Sequence, residues 1–173
     1  MELSVRSDCP GINSEMFALR ELNAAMREEL GVDLRFNLYF TCDSERRCLE
    51  FASLNHKPAH TSKAMQLRNF NVGQCWCDTH KENHDMPTRG LDVHVGTYPC
   101  SPWSRRGKRT GFAHPDAEVA LIGLKSIAQM RPGVWIIEIG EMTSMAGMDL
   151  LTQKIVDAQH ERAGIYNSYP QRT

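Results

Sequence analysis

The chain has 173 residues, of which 41% are hydrophobic, and its formal net charge is −1. This length and hydrophobic content suffice for one domain with a packed core and exclude an intrinsically disordered chain. The near-neutral charge argues against tight duplex binding over the whole surface, because nucleic-acid-binding proteins usually carry a basic excess. No apolar run approaches the ~18 residues that a membrane span needs, so we expect no membrane association.

The chain contains 6 cysteines, and no apolar signal-peptide segment follows Met1. We therefore interpret the cysteines as reduced thiols rather than as a disulfide framework. The expected location is intracellular, and it is the nucleus if the source is eukaryotic.

The first predicted elements are a strand over residues 3–8 and a helix over about residues 15–30. The helix has apolar residues at helical spacing, Asn13 or Ser14 as its cap and Gly31 at its end. A strand followed by a tight turn and a helix N-terminus can hold an anionic or polar cofactor group. The turn between these two elements is therefore a candidate cofactor site.

A second strand is predicted over residues 34–40, and a helix that closes near Asn55 follows it. Asp43 lies where the second strand ends, and in nucleotide-binding α/β units an acid there accepts hydrogen bonds from ribose hydroxyls. The alternative is that Asp43 caps the helix. A short third strand is predicted within residues 62–70. The alternating apolar residues of the second strand are Leu34, Phe36, Leu38 and Phe40.

Cys75, Cys77, His80 and His84 offer four potential zinc ligands within ten residues. The usual zinc spacings place a longer segment between the Cys pair and the His pair, so ligands this close would need a strained loop. We interpret residues 75–84 as a polar surface loop and assign no metal site. The alternative is a zinc-stabilised nucleic-acid-binding module centred on this segment.

A strand is predicted over residues 93–96, ended by Tyr98-Pro99, because proline fixes φ and offers no N–H. Cys100 then lies on the loop at the carboxyl edge of the sheet, where ligands bind in open α/β folds. A thiol beside positive charge is more easily deprotonated, and the thiolate is the nucleophile. The basic residues of this loop are Arg105, Arg106, Lys108 and Arg109.

The next predicted helix covers residues 116–131 and ends at Pro132-Gly133. The apolar run over residues 134–137 then indicates a buried parallel strand. Glu138 follows at the carboxyl end of this strand. A last helix is predicted over residues 146–160.

The Cys100 loop resembles the nucleophile motif of the cytosine-C5 methyltransferases, which is roughly Pro-Cys-Gln-Pro-Phe-Ser followed by Gly and a later Gly-Phe. The matching residues here are Pro-Cys-Ser-Pro-Trp-Ser at 99–104, then Gly107 and Gly111-Phe112. The order of Pro132, the apolar strand and Glu138 also matches this family. Residues 166–172 resemble the segment that precedes the family's Arg-x-Arg, and the sequence stops at that point.

The resemblance implies an α/β fold, a Rossmann-like class I methyltransferase sheet with helices on both faces, incomplete at the C-terminus. It makes residues 1–173 a single, partial, S-adenosylmethionine-dependent catalytic domain. It also implies transfer of a methyl group to C5 of cytosine in DNA, with RNA not excluded. A target-recognition region or a partner chain would then be missing.

The resemblance assigns roles to particular residues. Cys100 is the implied nucleophile that adds to C6 of the cytosine, and Glu138 is the implied hydrogen-bonding partner of the base. The implied contacts to S-adenosyl-L-methionine are Cys9, Gly11, Asn13, Asp43 and Pro99, with Cys9 and Asn13 standing where the family has Phe and its second Gly. The implied nucleic-acid contacts are Ser104, Arg105, Arg106, Lys108 and Arg109. The alternative is a catalytically degenerate derivative that binds the cofactor or a partner.

Overall fold

The computed structural model describes residues 1–63, 74–85, 91–104, 107 and 110–139. Its strands are β1 (Glu2–Asp8), β2 (Arg35–Cys42), β3 (His60–Ser62), β4 (Gln74–Cys77), β5 (Glu82–Asp85), β6 (Val93–Tyr98) and β7 (Val134–Ile139). Its helices are α1 (Ser14–Leu30), α2 (Arg46–Asn55) and α3 (Ala117–Met130), with a 3-10 turn at Gly111–Ala113. None of the helices within these ranges is long and apolar enough to cross a membrane.

Five strands form a parallel sheet in the order β3-β2-β1-β6-β7. The chain runs outward from β1 to β3 and then returns to the other side of β1 to form β6 and β7. The strand order therefore reverses between β1 and β6, and in open α/β sheets ligands bind at this reversal, outside the carboxyl ends of the strands. β4 and β5 form a separate antiparallel hairpin.

Helices cover both faces of the sheet, as predicted. On one face Met16 of α1 packs against Val5, Leu38 and Val95. The residues of α3 contribute to a second core on the other face, whose buried members are Phe40, Cys42, Cys75, Leu91, Ile122 and Met130. The predicted Rossmann-like sheet is confirmed. The assignment of residues 1–173 to one domain stays a prediction.

The alternation in β2 is broken by a bulge. Val5 pairs with Leu38 but Arg6 pairs with Phe40, so one extra residue is inserted between them. A bulge reverses the facing of the residues beyond it. Leu38 therefore joins the α1 core and Phe40 joins the α3 core, although simple alternation would place both on one face.

The ends of α1 follow the sequence prediction. Asn13 precedes the helix with φ 53°, and Gly31 ends it with φ 67° while its N–H bonds to the carbonyl of Arg27. Glycine adopts this left-handed conformation without steric cost. The predicted helix boundaries are confirmed within one residue at this element.

Three predictions about the strands need correction. The third strand ends at Ser62 rather than lying within residues 62–70, and residues 75–84 form the β4–β5 hairpin rather than a loop. β7 is not a buried strand, since Val134 and Ile136 are about half exposed (54% and 51%). Within the described residues β7 pairs with β6 alone, and its alternate residues Val134, Ile136 and Glu138 form an exposed face. The predicted helix 146–160 and segment 166–172 lie outside the described residues.

Candidate cofactor and nucleophile site

The candidate site lies where the sheet order reverses. The loop after β1 carries Cys9, Gly11 and Asn13, and the loop after β6 carries Pro99 and Cys100. These loops leave adjacent parallel strands at their carboxyl ends. We call this region, with the ends of β2 and β7 beside it, the switch-point edge.

Two hydrogen bonds connect the strand ends at this edge. The hydroxyl of Thr97 in β6 donates to the carbonyl of Cys9 (2.6 Å), and the N–H of Cys9 donates to the carbonyl of Cys42 at the end of β2 (2.7 Å). The loop after β1 is therefore held from both sides. Sequence reasoning missed Thr97, because a threonine at alternate spacing in a strand looks like an ordinary strand residue.

The loop after β1 has an unusual backbone. Cys9, Gly11 and Asn13 all have positive φ, at 57°, 60° and 53°. Asn is one of the few side chains that tolerate this conformation, which explains how it replaces the family's second glycine. The fully buried Asn13 also donates from Nδ2 to the hydroxyl of Thr41 (3.2 Å) and to Glu15 (3.0 Å). Its side chain thus joins the loop to β2.

Asp43 supports the same loop. Its carboxylate accepts a hydrogen bond from the N–H of Gly11 (3.0 Å) and another from the N–H of Glu45 (2.8 Å). The residue that precedes α2 is Glu45, and no side chain caps this helix. Asp43 is therefore not the N-cap residue of α2, although its carboxylate bonds the N–H of that residue, and it also shapes the loop. The acceptance of ribose hydroxyls by Asp43 stays a prediction.

A buried ion cluster lies at the end of β1. Arg6 Nε donates to Asp8 Oδ1 (2.8 Å) and Arg6 Nη2 to Oδ2 (3.0 Å), and His94 Nε2 lies 3.2 Å from Oδ2. All three side chains are fully buried. Burial alone would raise the pKa of the Asp8 carboxyl, but Arg6 and His94 outweigh it and hold that pKa well below its usual range. The carboxylate stays ionised directly before Cys9.

The cysteine at the start of the loop is a poor nucleophile. Burial, followed by the neighbouring carboxylates of Asp8 and Asp43, raises the pKa of the Cys9 thiol well above its usual range. Cys9 therefore remains a neutral thiol where the family has Phe. Such a thiol behaves as a small apolar group.

Cys100 differs from the other five cysteines, because it alone is exposed. It follows the end of β6 by two residues, and its carbonyl accepts hydrogen bonds from the N–H groups of Trp103 (2.9 Å) and Ser104 (2.8 Å). This tight turn fixes the backbone at Cys100. Trp103 is buried and contacts the ring of Phe112 edge-on, with 4.8 Å between centroids.

Gly107 of the motif has a packing role. A Cβ at Gly107 would overlap the backbone carbonyl of Ser101, so the chain passes too closely there for any side chain. The N–H of Gly111 donates to the carbonyl of Pro102 (3.0 Å), and the hydroxyl of Ser101 donates to Asp116 (2.8 Å). The motif is therefore one folded unit that ends against the start of α3.

Glu138 lies inside β7 rather than after it. It pairs with Thr97 of β6, and its side chain is exposed. Cys100, on the loop after β6, and Glu138, in the adjacent β7, thus stand at the same edge of the sheet, and both are exposed. Pro99 and Ser104 are half-buried. The basic residues of the predicted nucleic-acid contact, Arg105, Arg106, Lys108 and Arg109, lie outside the described residues.

A parallel sheet of this order, with a structured turn after β1 and an exposed cysteine after β6, defines a Rossmann-like methyltransferase fold. Comparison with known proteins agrees. The model of the C-5 cytosine-specific DNA methylase family matches residues 27–156, and the chain belongs to that family. The resemblance inferred from the Cys100 motif is confirmed.

A solved structure shares the fold. It is assigned as a DNA modification methyltransferase encoded within a prophage of E. coli, and it matches with a TM-score of 0.51 and 13% identity over 90% of this chain. The chain spans 37% of the length of that structure. No curated protein matches the sequence.

Proposed function

We propose that this chain supplies the catalytic region of a DNA cytosine-C5 methyltransferase that uses S-adenosyl-L-methionine. The observation that carries the proposal is the exposed Cys100, fixed by its turn, on the loop next to the left-handed turn after β1. The family to which the chain belongs supplies the reaction class.

In the proposed reaction the Cys100 thiolate adds to C6 of a cytosine, and the electron pair of the C5–C6 double bond moves to C5. C5 then attacks the methyl carbon of the sulfonium, and S-adenosylhomocysteine leaves. Loss of the C5 proton and elimination of the thiolate restore the double bond. Glu138 hydrogen-bonds the base and stabilises the charge that develops. The chemistry requires a reduced thiol, which fits the expected intracellular location.

The target base must leave the duplex for this reaction, at a cost of a few kcal/mol. The basic residues of the loop lie five to nine positions after the nucleophile in the sequence and are Arg105, Arg106, Lys108 and Arg109. We propose that these cations hold the phosphates of the opened strand, since phosphate contacts position nucleic acid without reading its sequence. Ser104 would contribute to the same surface.

The test is a trapping experiment. With 5-fluorocytosine in a DNA duplex, the C5 substituent cannot leave as a proton, so the covalent adduct persists. We expect mass spectrometry to find an S-adenosylmethionine-dependent adduct on the peptide that contains Cys100. Cys100→Ser should give none, whereas Cys48→Ser, at a cysteine on α2, should behave like the unchanged chain. A chain that binds S-adenosylmethionine and DNA and forms no adduct would contradict the proposed reaction.

The second candidate is a derivative that binds the cofactor without catalysis. It is favoured by the substitutions in the loop after β1, where Cys9 and Asn13 replace the family's Phe and Gly. Calorimetric titration with S-adenosylmethionine separates the candidates when combined with trapping. Binding without an adduct supports the derivative, and an adduct excludes it.

A further inference from the structure

Four metal-ligating side chains converge beside the edge strand of the sheet. They come from β3 (His60), the end of β4 (Cys77), the hairpin turn (His80) and β5 (His84). One ligand atom from each lies within 4.8 Å of every other. We call these four residues the His–Cys cluster, and they lie apart from the switch-point edge.

The spacing in the cluster fits a tetrahedral ion. Cys77 Sγ is 3.5 Å from His80 Nδ1. Zinc bonds of about 2.3 Å to sulfur and about 2.0 Å to nitrogen, at a tetrahedral angle, require an S···N separation of about 3.5 Å. The remaining ligand pairs need to close by at most about 1.5 Å to reach a tetrahedron of this size, a change that small side-chain rotations can supply.

The three imidazole rings surround a common point rather than stacking. Their centroids are 5.0 Å apart for His60 and His80 and 4.7 Å apart for the other two pairs, and all three pairs meet edge-on at 67° to 73°. A cavity of ≈ 10 Å³ beside them is lined by His60, Cys77 and His84 of the cluster, but not by His80, and Cys75 also lines it. This is about the space of one water-sized sphere, so it suits an ion and not an organic molecule.

Polar atoms in the cluster lack partners. Nδ1 of His60 and Nε2 of His84 are buried and make no hydrogen bond to any described residue. Glu82 Oε1 lies 3.4 Å from His84 Nε2 without forming one. Buried nitrogen atoms are almost always paired in native proteins, so these two are available to bind an ion.

The hairpin is already joined to β3 at this point. The N–H of Asp78 donates to the carbonyl of Thr61 (2.7 Å), and the hydroxyls of Thr61 and Thr79 are 2.9 Å apart. Lys81, with φ 61°, closes the turn by donating to the carbonyl of Cys77 (2.8 Å). These contacts hold the hairpin ligands near the strand that carries His60.

We propose that His60, Cys77, His80 and His84 bind one zinc ion that fastens the β4–β5 hairpin to the edge of the parallel sheet. One thiolate and three imidazoles form a donor set that suits zinc among the common divalent metals. Four protein ligands complete the tetrahedron, which is typical of structural rather than catalytic zinc.

Cys75 is excluded from this ligand set by its surroundings. Its Sγ lies 2.8 Å from the hydroxyl of Ser62, and its side chain belongs to the core under α3. The fourth ligand is instead His60, from a strand earlier in the chain. This makes Cys75 a matched control, because it lies in the same hairpin as Cys77, and both are 3% exposed.

The first test is metal content. The full chain is purified without chelators through an affinity tag that does not bind metal. It should contain one zinc per chain by inductively coupled plasma mass spectrometry. Cys77→Ser and His60→Gln should each lose most of it, and Cys75→Ser should retain it. Loss in Cys75→Ser together with retention in His60→Gln would overturn the ligand assignment. A folded chain with no zinc that takes up none from solution would overturn the site.

A second measurement uses the unchanged chain and therefore does not depend on whether the variants fold. Removal of zinc from the unchanged chain by a chelator should lower its melting temperature, because a ligand that binds only the folded state stabilises it. Added zinc should restore the melting temperature. Cobalt in place of zinc should give the intense visible absorption of a tetrahedral site with a thiolate band. A melting temperature that is unchanged by chelator and by added zinc would exclude the role of zinc in fastening the hairpin. Neither zinc content nor melting temperature depends on methyl transfer.

Discussion

Cys100 and Cys77 are thiols of one chain in opposite surroundings. Cys100 is exposed on a loop at the switch-point edge, whereas Cys77 is buried and lies 3.5 Å from an imidazole nitrogen in the His–Cys cluster. An exposed thiol can meet a substrate that enters from solvent, and a buried thiol among imidazoles can bind a metal. Burial and neighbours, rather than residue type, therefore separate the two proposed roles.

The two regions also differ in how they are built. The Cys100 turn lies in a contiguous stretch of sequence, and its described residues, 99–104, 107 and 110–112, are bonded mainly to one another. The His–Cys cluster combines β3 with a hairpin that starts after a further segment of chain. We expect the Cys100 turn to keep its structure when other parts of the fold are destabilised. We expect the His–Cys cluster to lose its metal-binding geometry when either β3 or the hairpin is displaced. The predictions below test this difference.

The largest expected effect on stability is at the end of β1. Asp8→Asn removes the charge that pairs with the buried Arg6 and leaves that guanidinium uncompensated, at a cost of ~3–5 kcal/mol of unfolding free energy. The matched control is Glu50→Gln, which breaks the exposed pair with Arg46 and should cost ~0.3–0.5 kcal/mol. Urea denaturation measures both. Equal costs for the two variants would contradict the buried ion cluster.

The Asp8 effect should depend on pH in a defined direction. The folded pKa of Asp8 is depressed below the ordinary value of 3.8 for an aspartate, so the ionised carboxylate stabilises the native state fully above that value. The contribution is lost as pH falls from there through the folded pKa. The stability gap between the unchanged chain and Asp8→Asn should be constant from about pH 5 to 7 and should narrow below about pH 4.

The next effect concerns catalysis at the switch-point edge. Glu138→Gln should lower the rate of methyl transfer by ~10²–10³-fold, because a hydrogen bond to the developing charge is weakened. Melting temperature and zinc content should stay unchanged, since Glu138 is exposed on β7 and lies outside the His–Cys cluster. Glu50→Gln serves again as the control. Full activity of Glu138→Gln would remove Glu138 from the mechanism.

Two glycine substitutions separate steric contact from backbone conformation. Gly107→Ala places a Cβ against the carbonyl of Ser101, whereas Gly11→Ala meets no atom within 4 Å and keeps only the strain of φ +60°. We expect Gly11→Ala to cost about 1–2 kcal/mol and Gly107→Ala to cost more, with loss of trapping at Cys100. Thermal unfolding and adduct formation are the measurements. If Gly107→Ala changed neither the unfolding temperature nor adduct formation, the turn would be less tightly packed than the structure shows.

The smallest effect is in thiol labelling. Iodoacetamide at pH 8 should modify Cys100 first, whereas Cys9 should react slowly, since burial and two carboxylates raise its pKa. Cys77 should become reactive only after a chelator is added. Peptide mass spectrometry follows each site over time. Labelling of Cys77 that is measurable without chelator and no faster with it would argue against metal protection.

Local signals made much of the fold predictable. Gly31 and the periodic apolar residues before it define α1, and the order of strands and helices indicates a parallel sheet. The bulge between Leu38 and Phe40 was not predictable, because it depends on how β1 and β2 pair. The exposure of β7 could not be predicted either, since an apolar run does not show which face of the strand is covered.

The candidate site also has features that the sequence predicts and features that only the folded chain shows. The Cys100 motif is contiguous, and its Gly107 reports a close backbone approach that any side chain would block. Asp43 was found as an acid at the end of β2, but its bonds to Gly11 and Glu45 appear only in the folded chain. Nothing in the sequence indicated that Thr97 would bond the loop after β1.

The sequence by itself determined the family and the candidate nucleophile, because both depend on residues that are neighbours along the chain. Only the tertiary structure decided the ligand set of the His–Cys cluster. Cys75 and Cys77 point to the same face of β4, but Cys75 lies against Ser62 and the core, whereas Cys77 lies at the end of the strand beside His80. The place of Cys75 among the ligands is taken by His60, which reaches the hairpin only when β3 joins the sheet.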